Sequence, residues 1–320
     1  MKMYLAPMAG VTDAAFRIIV REVSGFNDIM YSEMVSSTGL HYKSQKTFDM
    51  LKFTEDELPI AVQIFGSNPQ YVSEAANYIS QLENVSAIDF NLGCPAPKVV
   101  KNGEGSALMK NPLLVSELLK ALRQSTTLPL SVKMRLGFDS AHINAVEIAK
   151  IAEDCGVNSI TVHGRTREQY YSGKADWSEI AKVKQAVKVP VIANGDVRDV
   201  DSLNAIIKET NPDDVMIGRA AMGNPWIFKN LNHYLKTGEQ LPAPTIEERL
   251  NVMKRHLHLL LQFKGEYVGI REMRKHAAWY TKGLNGGGEL RNKFNNAETQ
   301  KDFYNIIEEF GNFLTAQLDI

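Results

Sequence analysis

The chain has 320 residues, 44% of them hydrophobic and 23% charged, with 36 Lys/Arg against 37 Asp/Glu and a net charge of −1. This is the balance of a globular protein with room for one large domain, or for a large domain and a smaller one; it excludes a chain-wide basic footprint for nucleic acid and a low-hydropathy disordered chain. Only two cysteines occur, Cys94 and Cys155. They make no disulfide framework, no apolar run approaches the ~18 residues of a membrane span, and Met1–Tyr4 leads straight into an apolar run with no room for a leader, so a cytoplasmic protein is expected.

Eight short apolar runs recur along the first two thirds: Met3 to Met8, Ile29 to Met34, Ile60 to Phe65, Ala87 to Leu92, Leu130 to Met134, Ser159 to Val162, Val189 to Ala193 and Val215 to Ile217. Their length and many β-branched residues fit buried parallel strands. Between most of them lie segments with helical periodicity: Pro69 to Leu82, Pro112 to Leu122 behind Asn111 as a cap, Ala141 to Asp154, Trp177 to Val187, and Val200 to Lys208. Ser44 to Glu57 reads as an irregular excursion after the second strand. Eight strand–helix repeats predict a (β/α)8 TIM barrel over residues 1–240; an open doubly wound sheet fits less well, because no Gly-x-Gly-x-x-Gly turn follows the first strand. After Trp226 the strand pattern stops. Leu241-Pro242-Ala243-Pro244 reads as a linker into a small all-helical domain over 241–320, opened by Thr245 as a cap with Glu247 and Glu248 behind it. Helices are expected over Arg249 to Lys264, Gly269 to Leu284 and Glu298 to Gln317, with Gly286-Gly287-Gly288 as a flexible break.

In a barrel of this kind the chemistry sits at the C-terminal strand ends. The residues there are Pro7, Met8 and Ala9; Glu33; Gln63; Asn91 and Cys94; Lys133 and Arg135; His163; Asn194, Gly195 and Asp196; and Gly218 and Arg219. Singly, each has a structural reading: His163 as a satisfied core histidine, Cys94 as a small buried hydrophobe. Together they form a polar rim. Glycines after the seventh and eighth strands, with Arg219, suit a phosphate site built from backbone N–H groups. No metal-ligand spacing and no nucleophile elbow are present.

At this point the residues resemble a known family. Ala6-Pro7-Met8-Ala9-Gly10-Val11-Thr12-Asp13, Gln63-x-Phe65-Gly66, Asn91-Leu92-Gly93-Cys94-Pro95, Lys133-x-Arg135, Val162-His163-Gly164-Arg165, Asn194-Gly195-Asp196 and Gly218-Arg219 are similar to the tRNA-dihydrouridine synthases, and the stretch from Cys94 to Leu108 resembles their bacterial DusB branch. Arg271 to His276 with Trp279-Tyr280 extends the likeness into the helical domain. The resemblance implies an FMN enzyme that reduces the C5–C6 bond of selected tRNA uridines, with NADPH as reductant. It would place Pro7, Met8 and Ala9 along the flavin. Gln63, Lys133 and His163 would lie on its polar edge, and Asn194, Gly195, Asp196, Gly218 and Arg219 at its phosphate. Asn91 would touch flavin and uracil, Arg135 the developing charge, and Cys94 would be the general acid, since a neutral thiol is a competent proton donor near pH 7. Cys155 reads as core.

From Arg249 to Lys293 there are ten Lys/Arg against three Asp/Glu. On a helical wheel Arg271, Arg274, Lys275 and Lys282 share one face, and Ile270, Met273, Ala277, Tyr280 and Leu284 the other, which marks the basic face as the RNA contact. A monomer acting on tRNA is expected. Three other readings stay open from the residues: a flavin reductase of a free pyrimidine, a sugar-phosphate isomerase or aldolase using Lys133, and an RNA-binding protein without activity.

Overall fold

The fold was analysed in a computed structural model, which describes residues 1–318 and the side chains of residues 1–312. Nine strands are present: β1 (Met3–Leu5), β2 (Met30–Tyr31), β3 (Val35–Ser36), β4 (Ile60–Phe65), β5 (Val85–Leu92), β6 (Leu130–Arg135), β7 (Ser159–His163), β8 (Val191–Asn194) and β9 (Asp214–Ile217). All pairings are parallel, in the order β1-β9-β8-β7-β6-β5-β4-β2, with β3 also on β4. β2 and β3 are two pieces of the second barrel strand, so this is the eight-stranded TIM barrel. At the seam between β1 and β2 the Tyr4 ring stands edge-on to Tyr31, with centroids 6.0 Å apart.

Helices alternate with the strands as the periodicity predicts. Pro69–Ser80 starts behind Asn68, whose side chain accepts from Gln70 and Tyr71 N–H. Pro112–Ser125 starts behind Asn111, whose side chain accepts from Leu114 N–H. In both, Pro occupies the first turn, where no intrahelical donor is lost. Ala145–Asp154, Trp177–Ala186 and Val200–Thr210 complete the series.

The chain packs as two compact units: Met1–Thr12 with Asn27–Gly218, and Asp13–Phe26 with the residues from Arg219 on. The first unit carries all nine strands. The second contains the helix Ala14–Ser24, the helix Ile227–Thr237, a long helical span Ile246–Tyr280 broken at Gly265 (φ 72°), and the helices Gly287–Asn296 and Gln300–Leu318. Thr245 and Glu248 form the expected capping box. Gly286-Gly287-Gly288 is not a free break: Gly286 takes the left-handed conformation and a helix starts at once, burying Leu290 and Phe294 one turn apart. Among the described residues no helix is long and apolar enough to cross a membrane.

Candidate active site

Barrel strands alternate inward and outward, so residues two apart share a face. Early in the strands the inward face is apolar, where Tyr4, Ala61, Ala87, Ile192 and Met216 form one cluster. Two residues further on it turns polar. The register sets Gln63 beside Asp89, Asp89 beside Ser131, Asn91 beside Lys133, Arg135 beside His163, and His163 beside Asn194.

These groups form a directed hydrogen-bond chain. The backbone N–H groups of Gly93 and Cys94 donate to Asn91 Oδ1 at 3.0 and 2.8 Å. Two donors on that atom identify it as the oxygen, so Nδ2 must be the donor to Gln63 Oε1, at 2.8 Å. Gln63 Nε2 then donates to Asp89 Oδ2 at 2.6 Å, and Ser131 Oγ donates to Asp89 Oδ1 at 2.6 Å. Asp89 is fully buried. Desolvation raises its pKa to about 6, against the opposing pull of these two hydrogen bonds and the Lys133 charge. The Cys94 turn is thus anchored through three side chains to a carboxylate on the barrel axis side of β5.

The outer side of the turn is tied as firmly. Ser106 donates to the Cys94 carbonyl from its N–H at 3.1 Å and from its Oγ at 2.8 Å. Gly105 lies against it at φ 58°, where a Cβ would come within 3.0 Å of both the Cys94 Cβ and its carbonyl oxygen. Cys94 itself is half-buried. Burial pushes its thiol above the ordinary range, while a backbone hydrogen bond from Ala96 and the charges of Arg135 and Lys133 pull the other way. Arg135 clamps the same turn: Nε donates to the Gly93 carbonyl, and Nη1 to those of Thr166 and Tyr170, all at 2.8 Å. Burial lowers its pKa to about 10, so it stays a cation at neutral pH. Half-buried Lys133 is pushed down to about 8 by desolvation and then by the Arg135 charge.

Across the barrel mouth, Arg165 is 1% exposed. It grips Asp196 with two hydrogen bonds of 2.8 and 2.7 Å, donates to the carbonyls of Ser172 and Gly173, and approaches His163 Nε2 at 3.3 Å. A guanidinium only donates, so His163 Nε2 carries the lone pair and the ring proton sits on Nδ1. Asp196 also accepts from Ala175 N–H at 2.7 Å, and its carboxylate is therefore committed to the loop that follows β7. Gly195, at φ 130°, passes so close to Ala175 that a Cβ would sit 2.8 Å from that side chain. Asn194 donates to the Met216 carbonyl. On the opposite rim Met8 N–H donates to Thr12 Oγ1 at 2.8 Å and Gly10 N–H to Glu33. Pro7 and Met8 are half-buried and Ala9 is exposed. A Cβ on Gly218 would meet only Ala6 and Met8, each at 3.6 Å, so the backbone there faces open space beside Met8.

The first unit therefore assembles Pro7, Met8, Gln63, Asn91, Cys94, Lys133, Arg135, His163, Asn194, Gly195, Asp196 and Gly218 on one system of strand ends. Arg219 is exposed and opens the second unit. Asp89, Ser131, Arg165 and Tyr171 are additions to the residues singled out from sequence. Tyr171 is exposed, with its ring 6.3 Å from His163 and under the Arg135 guanidinium at 5.6 Å. A carboxylate two residues before Asn91 in an otherwise apolar run was the available signal for Asp89.

In the second unit the apolar helix face is buried as expected, through Ile270, Met273, Ala277 and Tyr280. The basic face is partly spent. Arg274 donates to the Ala297 carbonyl, which closes the preceding helix, and Arg271 lies over the Tyr267 ring at 3.5 Å. Lys275 is half-buried and Lys282 exposed. Arg255 pairs with Glu22, and Lys264 with Asp13 and Glu272, so carboxylates distant in sequence offset much of the local excess.

Comparison with known proteins gives a match to the dihydrouridine synthase (Dus) family over residues 4–316. The chain belongs to the dihydrouridine synthase family. It is 40% identical over 316 residues to a probable tRNA-dihydrouridine synthase of Rickettsia conorii, covering 98% of this chain and 94% of that one. It is 42% identical over 307 residues to the tRNA-dihydrouridine synthase B of Pseudomonas putida, covering 94% and 89%. Among solved structures, a 2-naphthoyl-CoA reductase superposes with a TM-score of 0.54 at 13% identity, over 72% of this chain and 50% of that one; this shows a shared barrel fold.

The donors of the first unit fit the flavin that the family implies. An amide, a cation and an imidazole stand at adjacent strand ends, and open backbone at Gly218 lies beside Met8, as the polar edge of a flat ring system and a phosphate tail require.

Proposed function

We propose that the protein reduces the C5–C6 double bond of uridines in tRNA to 5,6-dihydrouridine, with FMN as resident cofactor, NADPH as reductant and Cys94 as proton donor. The observation that carries this reading is the Asn91–Gln63–Asp89–Ser131 chain, which anchors a protonated thiol at the polar mouth of a barrel in a dihydrouridine synthase chain. FMN, when bound, supplies the hydride for uracil C6. Gln63, Lys133 and His163 would hold its polar edge. The backbone of Gly195 and Gly218, with Asn194 and Arg219, would hold its phosphate, and Asp196 would contribute by fixing that loop through Arg165. A proton must reach C5 from Cys94, whose burial keeps the thiol neutral at pH 7. The Lys133 cation offsets negative charge during transfer, and Arg135 keeps the donor turn in place. Lys282, Arg271 and Lys275 would add sequence-independent phosphate contacts, and a stacked uridine must be extruded to reach the mouth.

The test is direct. The purified protein should carry flavin absorption, NADPH should bleach it, and unmodified tRNA transcript should gain dihydrouridine, whereas free uridine should not react. Reduction of free uridine at comparable efficiency would instead favour a small-pyrimidine reductase. The Lys133 value also predicts a pH profile. Its charge is present below about pH 8 and lost as pH rises through it, so kcat/KM on tRNA should fall through that window. Lys133→Arg should move this alkaline limb upward by more than one pH unit; an unmoved limb would remove Lys133 from the charge-stabilising role.

A further inference from the structure

We infer that Lys110 and Arg167, set against the Phe138 ring, form a phosphodiester site for the RNA strand that carries the target uridine; this rests on the tRNA reading above. Three loops of the barrel mouth meet there: Lys110 follows β5, Phe138 follows β6 and Arg167 follows β7. Lys110 Nζ lies 3.7 Å and Arg167 Cζ 5.2 Å from the centroid of the one ring. Two cations share this ring. Among the described residues no carboxylate pairs with either, and the buried Nε of Arg167 has no hydrogen-bond partner. Of the nearby acids, Asp139 is taken by His142 and the Ala141 N–H, and Glu168 is exposed.

The contrast with the other arginines of the mouth is what assigns a ligand. Arg135 and Arg165 donate to backbone carbonyls and Asp196. Arg167 is held just as firmly through its backbone, with its N–H on the Gly137 carbonyl at 3.0 Å and that of Glu168 on the Phe138 carbonyl at 3.0 Å, yet its side chain has been given no protein acceptor. Lys110 ends the turn Gly105–Lys110, which Ser106 binds to the Cys94 carbonyl, and Asn144 donates to the Met109 carbonyl beside it at 2.8 Å. Neighbouring cations fixed without an anion are suited to a ligand with spread negative charge, and a guanidinium fork matches the two free oxygens of a phosphodiester. Because the Lys110 turn is tied to the Cys94 turn, a nucleotide held there lies next to the one being reduced.

The same chemistry could serve a phosphate of NADPH, and the experiment separates the two. In the full-length, flavin-loaded protein, the double variant Lys110→Ala/Arg167→Ala should weaken tRNA binding about tenfold or more near 0.1 M salt. It should lower the slope of log affinity against log salt by about 2, one per lost phosphate contact. The NADPH concentration needed to bleach the flavin without tRNA should stay as in the wild type. The charge-conserving pair Lys110→Arg/Arg167→Lys should keep the wild-type slope, which separates a lost site from a damaged fold. An unchanged slope in a double variant with wild-type flavin spectrum overturns the site. So does a raised NADPH requirement with unaltered tRNA binding, which would hand these cations to the dinucleotide. Absence of tRNA binding by the wild type would overturn the tRNA reading and the site with it.

Discussion

Cys94→Ala should retain bound flavin and its reduction by NADPH, and should lose dihydrouridine formation by about 10² to 10⁴-fold, the range that a positioned general acid supplies. The physical case is the mount. Asn91 Oδ1 takes the N–H groups of Gly93 and Cys94, Ser106 takes the carbonyl from the other side, and Arg135 Nε takes the Gly93 carbonyl. Every polar backbone group around the thiol is thereby engaged, and the side chain is the one free element on a rigid turn. Alanine keeps all of those bonds, since none uses Sγ, so the variant should fold and bind cofactor as the wild type does. The measurement is mass-spectrometric yield of dihydrouridine on tRNA transcript alongside the rate of flavin bleaching by NADPH. Wild-type yield would remove Cys94 from proton transfer; loss of both readouts together would show that the substitution disturbs the mount instead.

Much of this site is legible along single strands. Ser131-Val132-Lys133-Met134-Arg135 alternates polar and apolar residues, which declares an inward face before any pairing is known. The second strand is harder: Ile29 to Met34 reads as one run, but the ladder breaks after Tyr31, because Ser32 turns its hydroxyl to the Glu33 carbonyl and to Gln63 N–H. The role of Asp89 depends on β4 and β6 flanking β5, information held in pairing and not in any one segment. Spacing likewise presents Arg135 as a cation for substrate, whereas its donors go to carbonyls 31, 35 and 42 residues away. The basic window from Arg249 to Lys293 misleads for the same reason, since the carboxylates that answer Arg255 and Lys264 include Glu22 and Asp13, more than 230 residues upstream. The helix Ile227–Thr237 gave no warning after Trp226, where the loss of strand pattern dominated the reading.

Asp196→Asn should be the most destabilising single change at the barrel mouth, at about 3 kcal/mol, the lower end of what removing one partner of a buried ion pair costs. The lower end applies because the Asp196 side chain is 28% exposed, whereas Arg165 is 2% exposed. The asymmetry makes the test sharp. Asparagine leaves a permanently charged guanidinium in the interior, with one acceptor in place of a carboxylate and with an amide that now presents a donor to Ala175 N–H or to Arg165. Arg165→Met removes the buried charge altogether; it leaves Asp196 able to hydrate through its exposed edge, and it orphans the carbonyls of Ser172 and Gly173, which lie on an exposed stretch of loop. That variant should cost less than Asp196→Asn, and the double variant should be more stable than Asp196→Asn alone, a positive coupling in the cycle. Urea unfolding of the four proteins measures all three differences. If Asp196→Asn falls within 1 kcal/mol of wild type, or the double variant is the weakest of the set, the charge of Arg165 is not what Asp196 is there to hold.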